Sequence, residues 1–477
     1  QNAVFAWSAE DRVWKKLSFG LPEGASIVTE AGADNGVRFL DFNRDGVDDL
    51  IFSNERAYGL WLGVPKVVLG FKQGWSRQIL RGQRGDKPEI PMIVRGGEHP
   101  NNGAWFTRDM MWVQNEDTAS LPDLVDRVNI RDMLNGFQQP PKSPREALKT
   151  MQVDPEFAIE LVAHEPAVQD PVAFAWGEDG TLWVVEMRDY PNGVDGRAGG
   201  VLKRLRDEDG DGVYETWSVF LEKLNYPNCV FPWRKGVLIS AVPDILYAED
   251  SDGDGRPDLI KVLFQGFVEG NQQHRANGFE LGLDHWIHGA NGDSGGRIAS
   301  TQTGAVVGIG GRDFRFQPDS GAFEPTSGQT QFGKHRDDWG NWFGGANYSW
   351  GWHYVLPDHY LARNPRLAIR STQRALNLEG TRVFPISRVQ QRFNDIGMDG
   401  HVTSACGFAP YRDELFGPEL ERSLFICEPT HNLVHREVLE PDGVSFRSKR
   451  AASEESREFL ASMDPWFRPV SAKTGPD

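Results

Sequence analysis

Polar side chains that do proton and metal chemistry crowd two kinds of stretch in this chain. The first is residues 272–296, QQHRANGFELGLDHWIHGANGDSGG. It places His274, Arg275, Asn277, His285, His288, Asn291 and Asp293 among closely spaced glycines. A core strand cannot hide so many polar groups, because each one left unpaired costs about 1–3 kcal/mol. The pattern predicts a strand that enters a pocket, turns through G-L-D-H and returns, with His274 at the pocket end and Trp286 and Ile287 in the returning strand. Imidazole changes charge between pH 5 and 8, so a histidine held in a pocket can move protons. The alternative is a histidine-rich turn bonded to its own backbone.

The second kind is an acidic loop that occurs three times. Asp41, Asn43, Asp45 and Asp49 fall in DFNRDGVDD, Asp207, Asp209, Asp211 and Glu215 in DEDGDGVYE, and Asp250, Asp252, Asp254 and Asp258 in DSDGDGRPD. Oxygen donors at alternate positions around a glycine turn are the pattern of a calcium loop. Without an ion these would be solvated, self-repelling acidic turns. Loops of this kind usually staple a turn, so the expected metal is structural calcium. Cys229, Cys406 and Cys427 are too few to fix the compartment. Cys406 and Cys427 flank a hairpin-like segment, where a disulfide and two free thiols are both open.

The elements that must position these groups read as short strands. The chain has 477 residues, more than one ordinary core serves. Its 52 glycines, 29 prolines, 16 tryptophans and 28 phenylalanines favour strands and tight turns. Helical periodicity is confined to 122–134, 144–151 and 453–463. A formal charge of −17 with no basic stripe excludes nucleic acid as a partner. No apolar run approaches the roughly 18 residues that span a membrane. The sequence starts with no signal peptide, and Gln1 reads as an internal or processed start.

Residues 1–135 form a first β-rich unit. Its calcium loop lies between strand-like runs and resembles the FG-GAP repeats of integrin-type propellers. The stretch 136–152, with GFQQPPKSPR, reads as a linker. A strand–turn–strand pattern recurs from 153 to 477, and two acidic loops start at 207 and 250, about one four-stranded blade apart. The expected fold is all-β: a β-propeller, incomplete towards Asp477, after a smaller β unit.

Residues 153–477 resemble the membrane-bound dehydrogenase domain of planctomycete and verrucomicrobial proteins, which is related to the soluble quinoprotein glucose/sorbosone dehydrogenases. The runs that carry this are VVEMRDYPNG, NCVFPWRKGVLISAVPDILYAEDSDGDG, EGNQQHRANG, SGQTQFGKHRDDWGNWFG and CEPTHNLVHR. The resemblance implies six blades with pyrroloquinoline quinone (PQQ) over a central pocket. It implies a PQQ-type oxidoreductase of a sugar or polyol, with His274 as the general base taking the substrate's hydroxyl proton. Gly282, Asp284, Gly292, Asp293 and Gly295 fall at the matching spacing. It places cofactor contacts at Arg336, Arg468, His431 and Asn432, with Arg275 and Asn277 as polar neighbours of the base. His431 and Asn432 stand where the group has a lysine. No C-x-x-C-H is present for a c-type haem, so a cytochrome c-type acceptor would lie elsewhere. An exported location, membrane-associated through parts outside this chain, completes the expectation. Two other readings are a calcium-stapled propeller that binds glycans or proteins without catalysis, and a hydrolase or lyase recruiting Asp293 and Glu269. The aromatic run 339–353 suits either leading reading, mostly as core, with Asn341 and His353 as further pocket candidates.

Overall fold

Alternating apolar side chains and frequent turn residues leave little room for helix, and the fold follows. The computed structural model describes residues 3–65, 73–86, 89–96, 100–107, 110–134, 141–191, 193–194, 196–387 and 400–476. They divide into two compact units, the first reaching Pro141 and the second beginning at Lys142. No helix among them is long and apolar enough to cross a membrane.

The first unit holds a four-stranded sheet of Val37–Leu40, Asp49–Ser53, Ala57–Val64 and Gly74–Gln83. A three-stranded sheet of Ala104–Phe106, Met110–Val113 and Asp126–Asn129 stands beside the helix Ile130–Leu134. Ile51, Leu60, Leu62, Met111 and Met133 are buried together between them. The stretch expected as one helix over 122–134 is therefore a 3-10 turn, a strand and one helical turn.

The second unit is a β-propeller. Its described residues form five sheets, each built outwards from one inner strand. The inner strands are Pro171–Trp176, Cys229–Trp233, Asn277–Leu281, His335–Arg336 and Cys406–Pro410. Blades one to four add three strands each in simple antiparallel order. In blade five the long strand Leu433–Asp442 pairs along part of its length with Ser445–Arg450 and elsewhere with Leu460–Ser462. Met151–Val153 then pairs with Leu460–Ser462, tying the start of the unit to its last blade. Residues 453–463 are thus a 3-10 turn and a strand, not the helix their periodicity suggested. A strand partner more than 300 positions away outweighed local propensity.

Successive inner strands lie side by side and run the same way. Gly333 N donates to Asn277 Oδ1 at one end of a neighbouring pair, and Arg336 Nε donates to the Leu281 carbonyl at the other. The propeller therefore has two mouths, one at the N-terminal ends of the inner strands and one at their C-terminal ends. Blades are glued by apolar seams. Between blades two and three, Phe264, Phe267, Phe279, Phe314, Phe316 and Phe323 pack edge to face and face to face. Each fully buried ring contributes about 1.5–3 kcal/mol of burial energy to this seam. One hairpin crosses it. Gly296–Ser300 and Val306–Gly308 emerge from blade three and pair onto Leu259–Phe267, the last strand of blade two.

Candidate functional site

The strand, turn and return expected within 272–296 are present, with Trp286 in the turn and Ile287 opening the returning strand. Asn277–Leu281 descends as an inner strand, turns at 282–286, and returns as Ile287–Ala290. His274 sits just before that strand, at the N-terminal mouth. An Asx turn places it, with Gln273 N on Asn271 Oδ1 and His274 N on the Asn271 carbonyl. Ser294 Oγ donates to the His274 carbonyl and ties in the loop 291–295. That loop presses so close that a Cβ on Gly292 would lie 2.1 Å from the Arg275 carbonyl oxygen, so the position needs glycine.

The His274 ring is half-buried, and Gln331 from the approach to blade four addresses it. Gln331 Nε2 lies 2.9 Å from His274 Nε2, while Gln331 Oε1 accepts from Asn347 N at 2.8 Å. The second contact orients the amide, so its NH₂ donates and the imidazole accepts. Gln331 Nε2 is also 3.3 Å from His274 Nδ1, and whichever ring nitrogen accepts carries no proton, so the ring is neutral. Burial pulls the His274 pKa below its ordinary value, opposed by the negative charge of Asp293. The arrangement is a neutral imidazole whose acceptor nitrogen meets a side-chain amide.

Arg275 is buried beside it. Its Nε donates to the Glu269 carbonyl at 2.7 Å and its guanidinium lies 4.7 Å from the Tyr226 ring centre. Its Nη1 is buried without a hydrogen-bond partner among the described residues. Asn277 is fully consumed by structure, donating to the Arg275 and Gln331 carbonyls and accepting from Gly333 N. His431 and Asn432 lie in the turn between Ser423–Glu428 and Leu433–Asp442 of blade five, beside the N-terminal end of its inner strand. His431 Nδ1 is 3.2 Å from Glu428 Oε1, and Asn432 Nδ2 holds the Pro465 and Phe467 carbonyls. Exposed Arg468 donates to the Pro429 carbonyl there. Arg336 stands apart from this group, at the C-terminal mouth. Asp284 and His288 are also away from His274, in a pair with Arg315. His353 is buried on Ser445, and Asn341 is bonded to Asp337. For the carboxylated quinone, a fit on this mouth rests on the unpartnered Arg275 Nη1, on Arg468 and on the acceptor nitrogen of His274.

Sequence reasoning did not find Gln331, Asn347 or Asp313. Asp313 is fully buried and accepts from Asn291 N, Thr330 N, Thr330 Oγ1 and Lys334 Nζ, at 2.7–3.1 Å. It thereby joins the loop carrying Asp293 to the segment carrying Gln331. Only its position in a G-R-D-F-R-F strand start marks it, and that pattern has no chemical signature.

The acidic loops 207–215 and 250–258 occupy equivalent places, between the third and fourth strands of blades one and two. Oxygens of Asp207, Asp209, Asp211 and Glu215 lie within 4.8 Å of one another, as do those of Asp250, Asp252 and Asp254. Asp258 is engaged by Ser251 N and Oγ instead. In the first unit, Asp41, Asp45 and Asp49 are not gathered in this way. Asp49 is buried and accepts from Phe42 N and Gly63 N, and burial pushes its pKa up to about 7. Cys406 and Cys427 stand opposite each other in register but are free, buried thiols, as is Cys229.

Several solved structures are similar in part, all at low scores. The holo PQQ domain of pyranose dehydrogenase from Coprinopsis cinerea is 12% identical with a TM-score of 0.38, covering 68% of this chain and 91% of that one. The apo soluble aldose sugar dehydrogenase from Escherichia coli is 14% identical at 0.36, covering 65% and 91%. A catalytically inactive virginiamycin B lyase from Staphylococcus aureus, with quinupristin, is 10% identical at 0.31, covering 64% and 76%. Such scores do not choose between oxidation and lyase chemistry. No curated protein matches the sequence. Residues 143–477 do match the family described as "Domain of unknown function (DUF7133)", and since that is more than half of the chain, it belongs to this family.

Proposed function

We propose that this protein is a PQQ-type oxidoreductase acting on a sugar or polyol, with His274 as general base. The observation that supports it is the half-buried, neutral His274 whose Nε2 faces a side-chain amide. In this reading a substrate hydroxyl replaces the Gln331 amide and donates to Nε2. The proton moves to that nitrogen, and the charge of nearby Asp293 stabilises the imidazolium. Arg275 and Arg468 would hold carboxylates of the quinone, with His431 at the edge of the same mouth. Bound PQQ supplies the hydride-accepting carbonyl. Reoxidation would fall to a cytochrome c-type partner. Titrating PQQ into the protein with calcium present, followed by dye-linked oxidation of sugars, tests the reading. Stoichiometric binding with turnover is expected, and no binding at micromolar quinone would overturn it.

A second reading, a propeller that binds glycans without turnover, draws on Trp339, 79% exposed, whose face is open to stacking. It predicts sugar binding with no oxidation in the same assay.

The loops 207–215 and 250–258 are proposed to hold structural calcium, which would be plentiful in an exported setting. Oxygen-only donors at this spacing suit that ion. Chelation with EDTA is expected to lower the melting temperature of the propeller, and added calcium to restore it. An unchanged melting temperature would remove calcium from the account.

A further inference from the structure

The C-terminal mouth of the inner strands opens into a cavity of about 750 Å³, and nothing above assigns it a role. That volume lies in the range of small-molecule sites. The cavity is basic within an acidic chain. Its lining holds seven lysine and arginine side chains against four carboxylates, while the whole chain carries −17.

How those charges are already spent decides what is left for a ligand. Glu280, at the end of its inner strand, is taken by two partners. Its Oε2 lies 3.1 Å from His335 Nδ1, and its Oε1 accepts from Arg412 Nη1 at 3.2 Å. Arg412 is doubly committed, since its Nε and Nη2 also reach Asp338 Oδ1 at 2.9 and 2.6 Å. Two cations remain. Arg336 donates Nε to the Leu281 carbonyl and Nη1 to the Asp337 carbonyl, and it makes no ion pair among the described residues. These two backbone bonds fix its plane. Lys473 has its ammonium 5.7 Å from the Phe174 ring centre and likewise makes no ion pair among the described residues. Blades one and two add the aromatic side chains Trp176, Trp183, Phe231 and Trp233 to the lining.

We propose that this mouth binds a small organic anion with a flat, aromatic body, its carboxylates meeting Arg336 and Lys473 and its ring lying against these tryptophans. A guanidinium fixed in plane suits a carboxylate, with which it can form charge-assisted bonds. The tryptophan faces supply apolar area to stack on a ring. The site is separate from His274, at the other end of the inner strands, and does not depend on the oxidoreductase reading.

Isothermal titration calorimetry with benzene-1,3,5-tricarboxylate as probe tests this on the full chain. Saturable binding is expected, weakened roughly tenfold or more in Arg336→Gln and in Lys473→Gln, and unchanged in His274→Ala. Lys473 belongs to no strand, so its variant keeps the test open should Arg336→Gln disturb folding. The saturated ring of cyclohexane-1,3,5-tricarboxylate, with the same charges, is expected to bind more weakly. No saturable binding by the unaltered protein would overturn the proposal. Equal affinity in both charge variants, or binding lost in His274→Ala, would do the same. Equal affinity for the two probes would remove the aromatic body from it.

Discussion

Replacing His274 with alanine is expected to slow sugar oxidation by the PQQ-loaded protein by about 10²–10⁴-fold, the usual worth of a positioned general base. Quinone binding should survive, because the side chain contributes an acceptor nitrogen and no charge. The pH profile of kcat/KM gives a sharper check. A base works in its neutral form, so activity rises with pH through the histidine pKa. Burial holds that pKa below the ordinary 6.5, so the acidic limb should have its midpoint below pH 6.5 and be flat above it. Asp293→Asn removes the charge that opposes this shift, and the midpoint should move lower still. A variant with full turnover, or a limb centred above 6.5, would take the base role away from His274.

Asp313→Ala is expected to be the most destabilising substitution near the site. It leaves the Lys334 ammonium buried with no counter-charge, and it strips acceptors from Asn291 N and Thr330. Breaking one side of a buried ion pair costs about 3–5 kcal/mol. For a unit of this size that corresponds to a fall of roughly 4–7 °C in Tm. Asp313→Asn combined with Lys334→Met should recover part of the loss, because the cost lies mostly in the orphaned charge. Thermal or urea unfolding would decide it. An Asp313→Ala protein as stable as the parent would mean that water reaches the Lys334 ammonium.

Features carried by neighbouring residues were readable before the structure. The strand, turn and return of 277–290 follow from alternation and glycine placement. The acidic loops starting at 207 and 250 do mark the same place in two adjoining blades. What was not readable depends on contacts between distant segments. Gln331 reaches His274 from the next blade, 57 positions away. Asp313 joins two loops that no local pattern connects. Arg336 follows Gln331 by only five residues, yet the strand between them carries it to the opposite mouth. Free rotation of sequence position into space also misled the helix expectation for 453–463, where Leu460–Ser462 found strand partners on both sides.

The hairpin that leaves blade three to pair with blade two has a mechanical consequence. Blades three and four, and four and five, are joined by scattered backbone bonds such as Gly292 N to the Thr330 carbonyl and Gly407 N to the Phe332 carbonyl. Blades two and three are stitched by a hydrogen-bonded ladder from Phe264–Phe267 to Gly296–Ser300. They must therefore open as a single cooperative block, and the loop 291–295 that braces His274 is anchored at both ends inside it. His274 is thus mounted between two blades that share a hydrogen-bonded ladder.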